Sequence, residues 1–462
     1  MSDLDPKDWD AFRRTAHALL DACVDRLAQA GDHPWIPVPE DTKSGYALSD
    51  TPSGLEAAAT RMAKEVMPYG VGNTHPRFFG WVHGTGLASG LLSEMVAATM
   101  NANCGGRDHA AVYLERAVID WTRDVMGFPD TASGVLVSGT SQATVIAMSA
   151  ARLRALGAHV RAKGNSTRLT AYAGAGVHNA ARKAVELLGI GADNLRKVDD
   201  WSQVPNMIAA DRAAGGTPFM LIGTAGSVDF GTFDDFHALA DLAASENLWL
   251  HIDGAFGAWL KLADTPWREL SNGLERADSL ACDFHKWMYV PYDCGFCLIR
   301  DETEHRAAFA ARPSYLAPQK EGVAGGDPWY CDYGIDLSRG NRALKVWAAI
   351  ESYGGAGLGA AISDNCARAA QMGALIKASD KMALAAPVVS NLVVFTADQT
   401  LPPEAQSELN AGIAQKLQLS GDAVFSTTLA DGITCLRAAI TNHRTTAKDI
   451  EIAIAAVDRE TP

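Results

Sequence analysis

Residues 138–155 read SGTSQATVIAMSAARLRA, and the four before them, Gly134–Val137, read GVLV. An apolar run ends in a glycine and small hydroxyl residues, and a long helical stretch opens at Ser141. A buried strand entering a helix across a Gly/Ser/Thr turn is the repeating unit of an α/β domain. Further apolar runs at Leu169–Tyr172, Phe219–Gly223, Leu248–Asp253, Ser279–Asp283 and Gly295–Ile299 alternate with helical stretches such as Ala180–Leu188. This alternation, from about Gly86 to Arg300, predicts a largely parallel sheet. Ligands of such sheets bind at the carboxyl ends of the strands. Several runs end there in polar residues: Ser138–Ser141, Thr224, His251 with Asp253, and Asp283–Lys286.

Outward from this centre the pattern changes twice. Before it, Trp9, Phe12, Ala16, Leu19, Cys23 and Leu27 recur at helical steps, and Pro34, Pro37 and Pro39 then enforce an extended connector. One amphipathic helix and a strap make no core of their own, so this arm is expected to lie on something larger, a second subunit. After the centre, ALKVWAAIESYG leads through a Gly-rich stretch into helices flanking candidate strands at Val388–Thr396 and Thr434–Ala438. The expected organisation is an arm and strap over 1–85, a large α/β domain over 86–345 and a small α+β domain over 346–462.

Composition narrows the function classes. The chain has 462 residues, 48% of them hydrophobic and 20% charged, which suits a folded globular protein rather than a disordered one. A net charge of −14 without a basic cluster argues against nucleic acid or an anionic membrane surface as partner. No apolar run reaches the ~18 residues of a membrane span. The opening MSDLDPKDWD is acidic where a secretory signal is basic and then apolar, and eight cysteines are too sparse for a disulfide scaffold. The expectation is a cytoplasmic enzyme.

Individual residues carry chemistry. Backbone N–H groups at the helix start, with the Thr140 and Ser141 hydroxyls, suit a phosphate, although Ser and Thr favour that position as ordinary caps. His251 and Asp253 stand two apart on a strand and share a face. The Asp253 carboxylate there could hold a protonated ring nitrogen, ligate a metal, or simply open a turn with Gly254. Lys286, in HKW, is a side chain able to form a Schiff base with an aldehyde, while most lysines are solvated surface groups. His178 sits near the start of a helix, where a capping role is the simpler reading. Cys294 and Cys297 lie three apart along a strand, hence on opposite faces, and no second CxxC accompanies them, so no zinc site is expected.

A phosphate cradle, a histidine, an acid at a strand end and a lysine 33 positions later resemble the pyridoxal-phosphate enzymes of fold type I, and among them the group II amino-acid decarboxylases. HPRFFGWVHG, GVLVSGTSQAT, AYAGAGVHNAARKA, GTAGSVDFGTFDD, WLHIDGAFG, DFHKWMYVPYDCG, RPSYL and SRGNRALKVW carry the resemblance from about Trp9 to the C-terminus. It implies an aspartate-aminotransferase-like α/β fold and pyridoxal 5′-phosphate as cofactor. It further implies a homodimer with shared active sites and an L-amino acid as substrate. By the same resemblance Lys286 holds the cofactor as a Schiff base, Asp253 pairs with the pyridine nitrogen, and His178 stacks on the ring with Ala255 behind it. Thr140 and Ser141 bind the phosphate with His285 nearby and Ser338 from the partner; Thr224 lies close to the ring; Tyr315, between Pro313 and Pro318, is the loop acid that protonates the substrate carbon.

The chain departs from the family in three places. Trp81-Val82-His83-Gly84 stands where aromatic-acid decarboxylases have an aromatic–Pro–Thr stretch, Asp283 where some relatives have asparagine, and Gly340-Asn341 in place of an Arg–aromatic pair. Phe78, Phe79, Trp81 and His83 are the expected substrate pocket, which favours an aromatic or hydrophobic amino acid. The competing readings are an aldehyde-forming enzyme of the same fold and, from another class, a metal-dependent hydrolase using His251, Asp253 and His285. Tyr315 speaks against the first, and the second leaves Lys286 and the phosphate cradle unused.

Overall fold

The computed structural model describes residues 4–311 and 319–462. The chain divides into two compact units. One comprises residues 89–367 with 388–392, the other residues 1–88, 368–387 and 393–462.

The first unit is built on a seven-stranded sheet of β1 (Ser133–Val137), β2 (Leu169–Gly174), β3 (Leu195–Val198), β4 (Thr217–Thr224), β5 (Trp249–Asp253), β6 (Ser279–Asp283) and β7 (Gly295–Ile299). Their spatial order is β1-β7-β6-β5-β4-β2-β3. β7 pairs antiparallel with both β1 and β6, whereas β2–β3, β2–β4, β4–β5 and β5–β6 are parallel. All strands except β7 therefore point their carboxyl ends the same way, as expected for an α/β domain with a mostly parallel sheet. β1, β5, β6 and β7 are buried along their whole length, which is why they read as continuous apolar runs. β3, with sequence LRKV, is an edge strand that leaves Lys197 exposed and Arg196 half-buried, a charged rim of the kind that discourages further pairing.

Helices cover the sheet. Thr140–Leu156 leaves the end of β1 with nine buried residues, among them Ala143, Ile146, Ala147 and Ala150. Alanines along this face bring the helix close to the strands beneath it. Trp249, Trp259, Trp287, Phe284 and Phe296 are among the largest fully buried side chains of this unit. Trp287 Nε1 and the Tyr289 hydroxyl both donate to Asn365 Oδ1, at 3.0 and 2.9 Å, so the chain after Lys286 is fixed by polar as well as apolar contacts. Helix Ala343–Lys377 is interrupted at Gly354, whose φ of 62° lies in the left-handed region that glycine tolerates.

The second unit has a four-stranded sheet, ordered β10-β11-β9-β8, from β8 (Ala383–Leu384), β9 (Leu392–Thr396), β10 (Ser426–Ala430) and β11 (Ile433–Ala439). Helices Pro403–Ser420 and Ala447–Glu460 belong to it, the latter opened by a capping box between Thr446 and Asp449. Helix Trp9–Ala28 is capped by Asp8, whose Oδ1 accepts from the N–H groups of Asp10 and Ala11 at 2.9 and 3.0 Å. None of its twenty residues is buried.

Candidate active site

Three strand ends assemble the site within the sheet unit. β4 ends at Thr224 in register with Asp253, the last residue of β5, and Asp253 is in register with Ala281 of β6. β6 ends at Asp283, and the following turn carries His285 and Lys286. Helix Thr140–Leu156 begins beside them: Thr140 donates its N–H to Asp283 Oδ1 (2.8 Å) and its hydroxyl to Oδ2 (3.0 Å). This approach requires Gly295 at the start of β7, because a Cβ there would sit 2.4 Å from Gly139 Cα and 2.8 Å from Asp283 Oδ1.

Lys286 Nζ lies 2.9 Å from Asp283 Oδ2. Burial alone would push the ammonium down, but the Asp283 carboxylate outweighs it, with Asp253 and Tyr292 adding in the same sense, and Lys286 sits above the ordinary lysine range. Asp253 is 5% exposed, and burial pushes its carboxyl up while the charges of His178 and Lys286 oppose the rise. Its Oδ1 accepts from the Ala255 N–H at 3.2 Å, and the Ala255 carbonyl in turn accepts the Asp283 N–H at 2.9 Å. The two carboxylates and their loops are thus held in fixed relation.

His285 Nδ1 accepts from the Cys294 N–H at 3.0 Å, which leaves the ring proton on Nε2, 3.7 Å from Asp283 Oδ2. Its ring lies 4.3 Å from that of Tyr292, tilted by 33°. Burial lowers the His285 pKa, so the ring is neutral at physiological pH. His178 caps helix Asn179–Leu187, its Nδ1 accepting from the Ala180 N–H at 3.2 Å, and its side chain is exposed. Ser141 is exposed in the first helical turn, and Ser338 is exposed with its Oγ 3.5 Å from Asn103 Nδ2. Tyr315 lies outside the described residues.

The aromatic group of the HPRFFGWVHG stretch belongs to the other unit. Phe78, Trp81 and His83 form a cluster with ring centroids 5.7–6.2 Å apart. Trp81 is 51% exposed with φ of 54°, unusual for a bulky residue, and both its backbone groups are clamped: the N–H donates to Ser426 Oγ and the carbonyl accepts from Arg437. Phe79 points the opposite way, fully buried and 5.5 Å from the Phe425 ring.

Sequence reasoning did not find the partners that organise these groups. Asp283 was legible only as an extra anion, though its i,i+3 spacing from Lys286 was available. Asp234 receives the Thr224 N–H at 2.7 Å and Trp201 Nε1–H at 2.9 Å, and Gln142 bridges Ser138 to Asp336. His251 is fully buried with Nδ1 2.8 Å from Ser279 Oγ. Among the described residues no group of three His, Cys, Asp or Glu side chains is arranged to hold a metal ion.

One observation tests whether the donor set suits a pyridoxal cofactor. Thr224 Oγ1 is buried at the carboxyl end of β4 with no hydrogen-bond partner among the described residues. A buried hydroxyl left open on the strand residue paired with Asp253, with Lys286 and the Thr140 helix end meeting at Asp283 on β6, matches a ligand that is polar around its ring and carries an aldehyde and a phosphate. The residues present fit the group.

Comparison with known proteins agrees. The pyridoxal-dependent decarboxylase conserved domain matches residues 39–398. An aromatic-L-amino-acid decarboxylase of Bacillus atrophaeus is 30% identical over 390 residues, covering 81% of this chain and 79% of the relative. A phenylacetaldehyde synthase of Arabidopsis thaliana is 25% identical over 488 residues, covering 99% and 97%. The crystal structure of an Oryza sativa TDC with PLP and tryptamine superimposes with a TM-score of 0.89 at 23% identity, covering 99% of both chains. This chain belongs to the pyridoxal-dependent decarboxylase family and is an amino-acid carboxy-lyase that works with pyridoxal phosphate.

Proposed function

We propose that the enzyme converts an aromatic L-amino acid to its amine and CO2, as a homodimer in the cytoplasm. The observation that carries the reading is the meeting of Lys286, Asp253 and the Thr140 helix end at neighbouring strand termini. The similarity to an aromatic-L-amino-acid decarboxylase supports the substrate class.

When bound, the cofactor supplies an electron sink for the charge left on the substrate carbon as CO2 departs. The chain's own residues do the rest. Lys286 provides the amine that anchors the aldehyde. Asp253, buried and close to His178 and Lys286, keeps a ring nitrogen protonated. Ser141 and His285 receive the phosphate with Ser338 of the partner subunit, and Thr140 joins them when its N–H and hydroxyl turn from Asp283. His178 and Ala255 bracket the ring, and the Thr224 hydroxyl finds its partner on it. Tyr315 returns a proton to the substrate carbon, a role that suits a phenol because it stays neutral until needed. Trp81, exposed with Phe78 and His83 beside it, offers an aromatic surface suited to a substrate side chain, whereas Phe79 is buried against Phe425 and withdrawn from it.

Dimerisation is supported by apolar surface without cover in either unit. Trp9, Phe12 and Val24 are exposed on the first helix, and Leu92, Met95, Val96 and Met100 on helix Ala88–Met100. A cytoplasmic setting is supported by eight free cysteines, of which seven are buried. No helix among the described residues is long and apolar enough to cross a membrane.

The test is incubation of the holoenzyme with a panel of L-amino acids, scoring amine, aldehyde and CO2 by mass spectrometry. Amine from tryptophan, tyrosine or phenylalanine is expected. Turnover confined to acidic or small substrates would refute the substrate class.

A further inference from the structure

We propose that Asp283 is a positioning residue for Lys286: it holds the free ε-amino group as an ammonium against the first turn of helix Thr140–Leu156, and must release it before that amine joins an aldehyde. The inference rests on the reading of Lys286 as the cofactor lysine and goes beyond it to how the lysine is loaded and unloaded.

The geometry leaves the carboxylate little freedom. Asp283 is 1% exposed. Its Oδ1 accepts the Thr140 N–H, and its Oδ2 is shared between the Thr140 hydroxyl at 3.0 Å and Lys286 Nζ at 2.9 Å. The helix end orients both oxygens, and the N–H and hydroxyl it donates, with the Lys286 amine, satisfy the buried carboxylate. Around Lys286 the other ionisable groups are Asp253 from β5 and, from its own loop, His285 and Tyr292; Asp293 further along is engaged by Arg342 at 2.9 Å. Asp283 pairs directly with Nζ, at 2.9 Å.

Only an uncharged amine attacks a carbonyl. Loading therefore begins with loss of the Lys286 proton to solvent, which breaks its bond to Asp283. The amine nitrogen then forms a double bond to the aldehyde carbon, and the aldehyde oxygen leaves as water. Release runs backwards: water returns the aldehyde, and the amine regains a proton and re-pairs with Asp283. The carboxylate thus slows loading and favours release. Asparagine at this position keeps an acceptor for the Thr140 N–H but removes the anion, so burial would then dominate and the Lys286 amine would be neutral at lower pH.

The test uses the full-length chain, stripped of cofactor, and Asp283→Asn. Trace acetylation of Lys286, followed across pH by mass spectrometry of its peptide, reports the protonation of the amine without any cofactor. In the unaltered chain the labelling midpoint is expected above the ordinary lysine value of 10.5. In the variant it moves down, and labelling near neutral pH rises about tenfold or more, as expected when an opposite charge at contact distance is removed. Absorbance should show faster loading in the variant by both pyridoxal phosphate and phosphate-free pyridoxal. Equal midpoints in the two chains with normal loading would overturn the proposal alone, leaving Asp283 as a helix cap. Faster loading by the phosphorylated aldehyde only would overturn it in favour of repulsion between Asp283 and the phosphate. Loading of neither chain by either aldehyde would overturn the reading of Lys286 itself. Should the variant fail to fold, a midpoint below the ordinary value in the unaltered chain would overturn the proposal.

Discussion

Glu115→Gln removes one charge from an ion pair whose two side chains are each 2% exposed. Arg339 donates to Glu115 Oε2 at 3.0 Å and Oε1 at 2.5 Å, and also to the carbonyls of Cys104 at 2.8 Å and Leu136 at 2.5 Å. Glu115 Oε1 in turn accepts the Leu136 N–H at 3.2 Å. Deleting one partner of a buried pair costs about 3–5 kcal/mol because the other charge is left uncompensated. Glutamine keeps an acceptor and the two carbonyls remain, so the lower end, about 3 kcal/mol, applies to the sheet unit. With a urea slope of roughly 3 kcal/mol/M, near the top of the usual range, the unfolding midpoint of that unit should fall by about 1 M. Tryptophan fluorescence would follow it through buried Trp249, Trp259 and Trp287. Replacing both partners, Glu115→Leu with Arg339→Met, should recover much of the loss. The chain next to Arg339 is Ser338, and Asn103 Oδ1 accepts the Arg339 N–H at 3.1 Å, so the single variant should also hold cofactor less tightly. A midpoint change under about 0.3 M would refute the claim that the pair is fully desolvated and coupled.

Lys286→Ala should abolish the visible absorbance of the cofactor-loaded protein, and borohydride reduction of the unaltered enzyme should leave a pyridoxyl group on the Lys286 peptide and no other. Tyr315→Phe is expected to keep cofactor and substrate binding but to lose amine formation by ~10²–10⁴-fold, the span of a general acid, with some product appearing as aldehyde; amine at the parental rate would remove Tyr315 from the chemistry. Trp81→Ala should raise KM for aromatic substrates more than it lowers kcat, and an unchanged KM would exclude the ring from the pocket. Burial holds His305 at about 4 and His251 at about 3, both below the ordinary 6.5. The unfolded chain therefore takes up protons first, so this contribution to stability is complete above about 6.5 and is lost as the pH falls toward 4 and then 3. Thermal unfolding across that window should show a falling midpoint, and His305→Gln should flatten the fall.

Much of this architecture was legible because strands buried on both faces leave uninterrupted apolar runs. Leu169–Tyr172 and Gly295–Ile299 could be placed from such runs, as could the polar residues ending them. β3 could not, since LRKV at a sheet edge has two charges in four residues, and β10, STTLA, alternates too weakly to stand out from a loop. The same limit applied to the site. Lys286 and Asp253 announce themselves by residue type and position at a strand end. That Asp283 turns both oxygens to the Thr140 helix end depends on the backbone after β6, 143 positions away in sequence. Glu115 and Arg339 meet across 224 positions, and no local pattern reports that distance. Phe78 and Phe79 are alike in composition, and only the chain's path beside Val424 turns Phe79 into the core.

The central claim is that this site removes CO2 from an aromatic L-amino acid and leaves the amine. An aromatic substrate labelled in its carboxyl carbon, incubated with the cofactor-loaded enzyme, tests it most directly. Labelled CO2 and amine should appear in equal amounts, with no ammonia and no hydrogen peroxide. Labelled CO2 accompanied by aldehyde, ammonia and peroxide in place of the amine would contradict the account, as would a substrate recovered with its label intact.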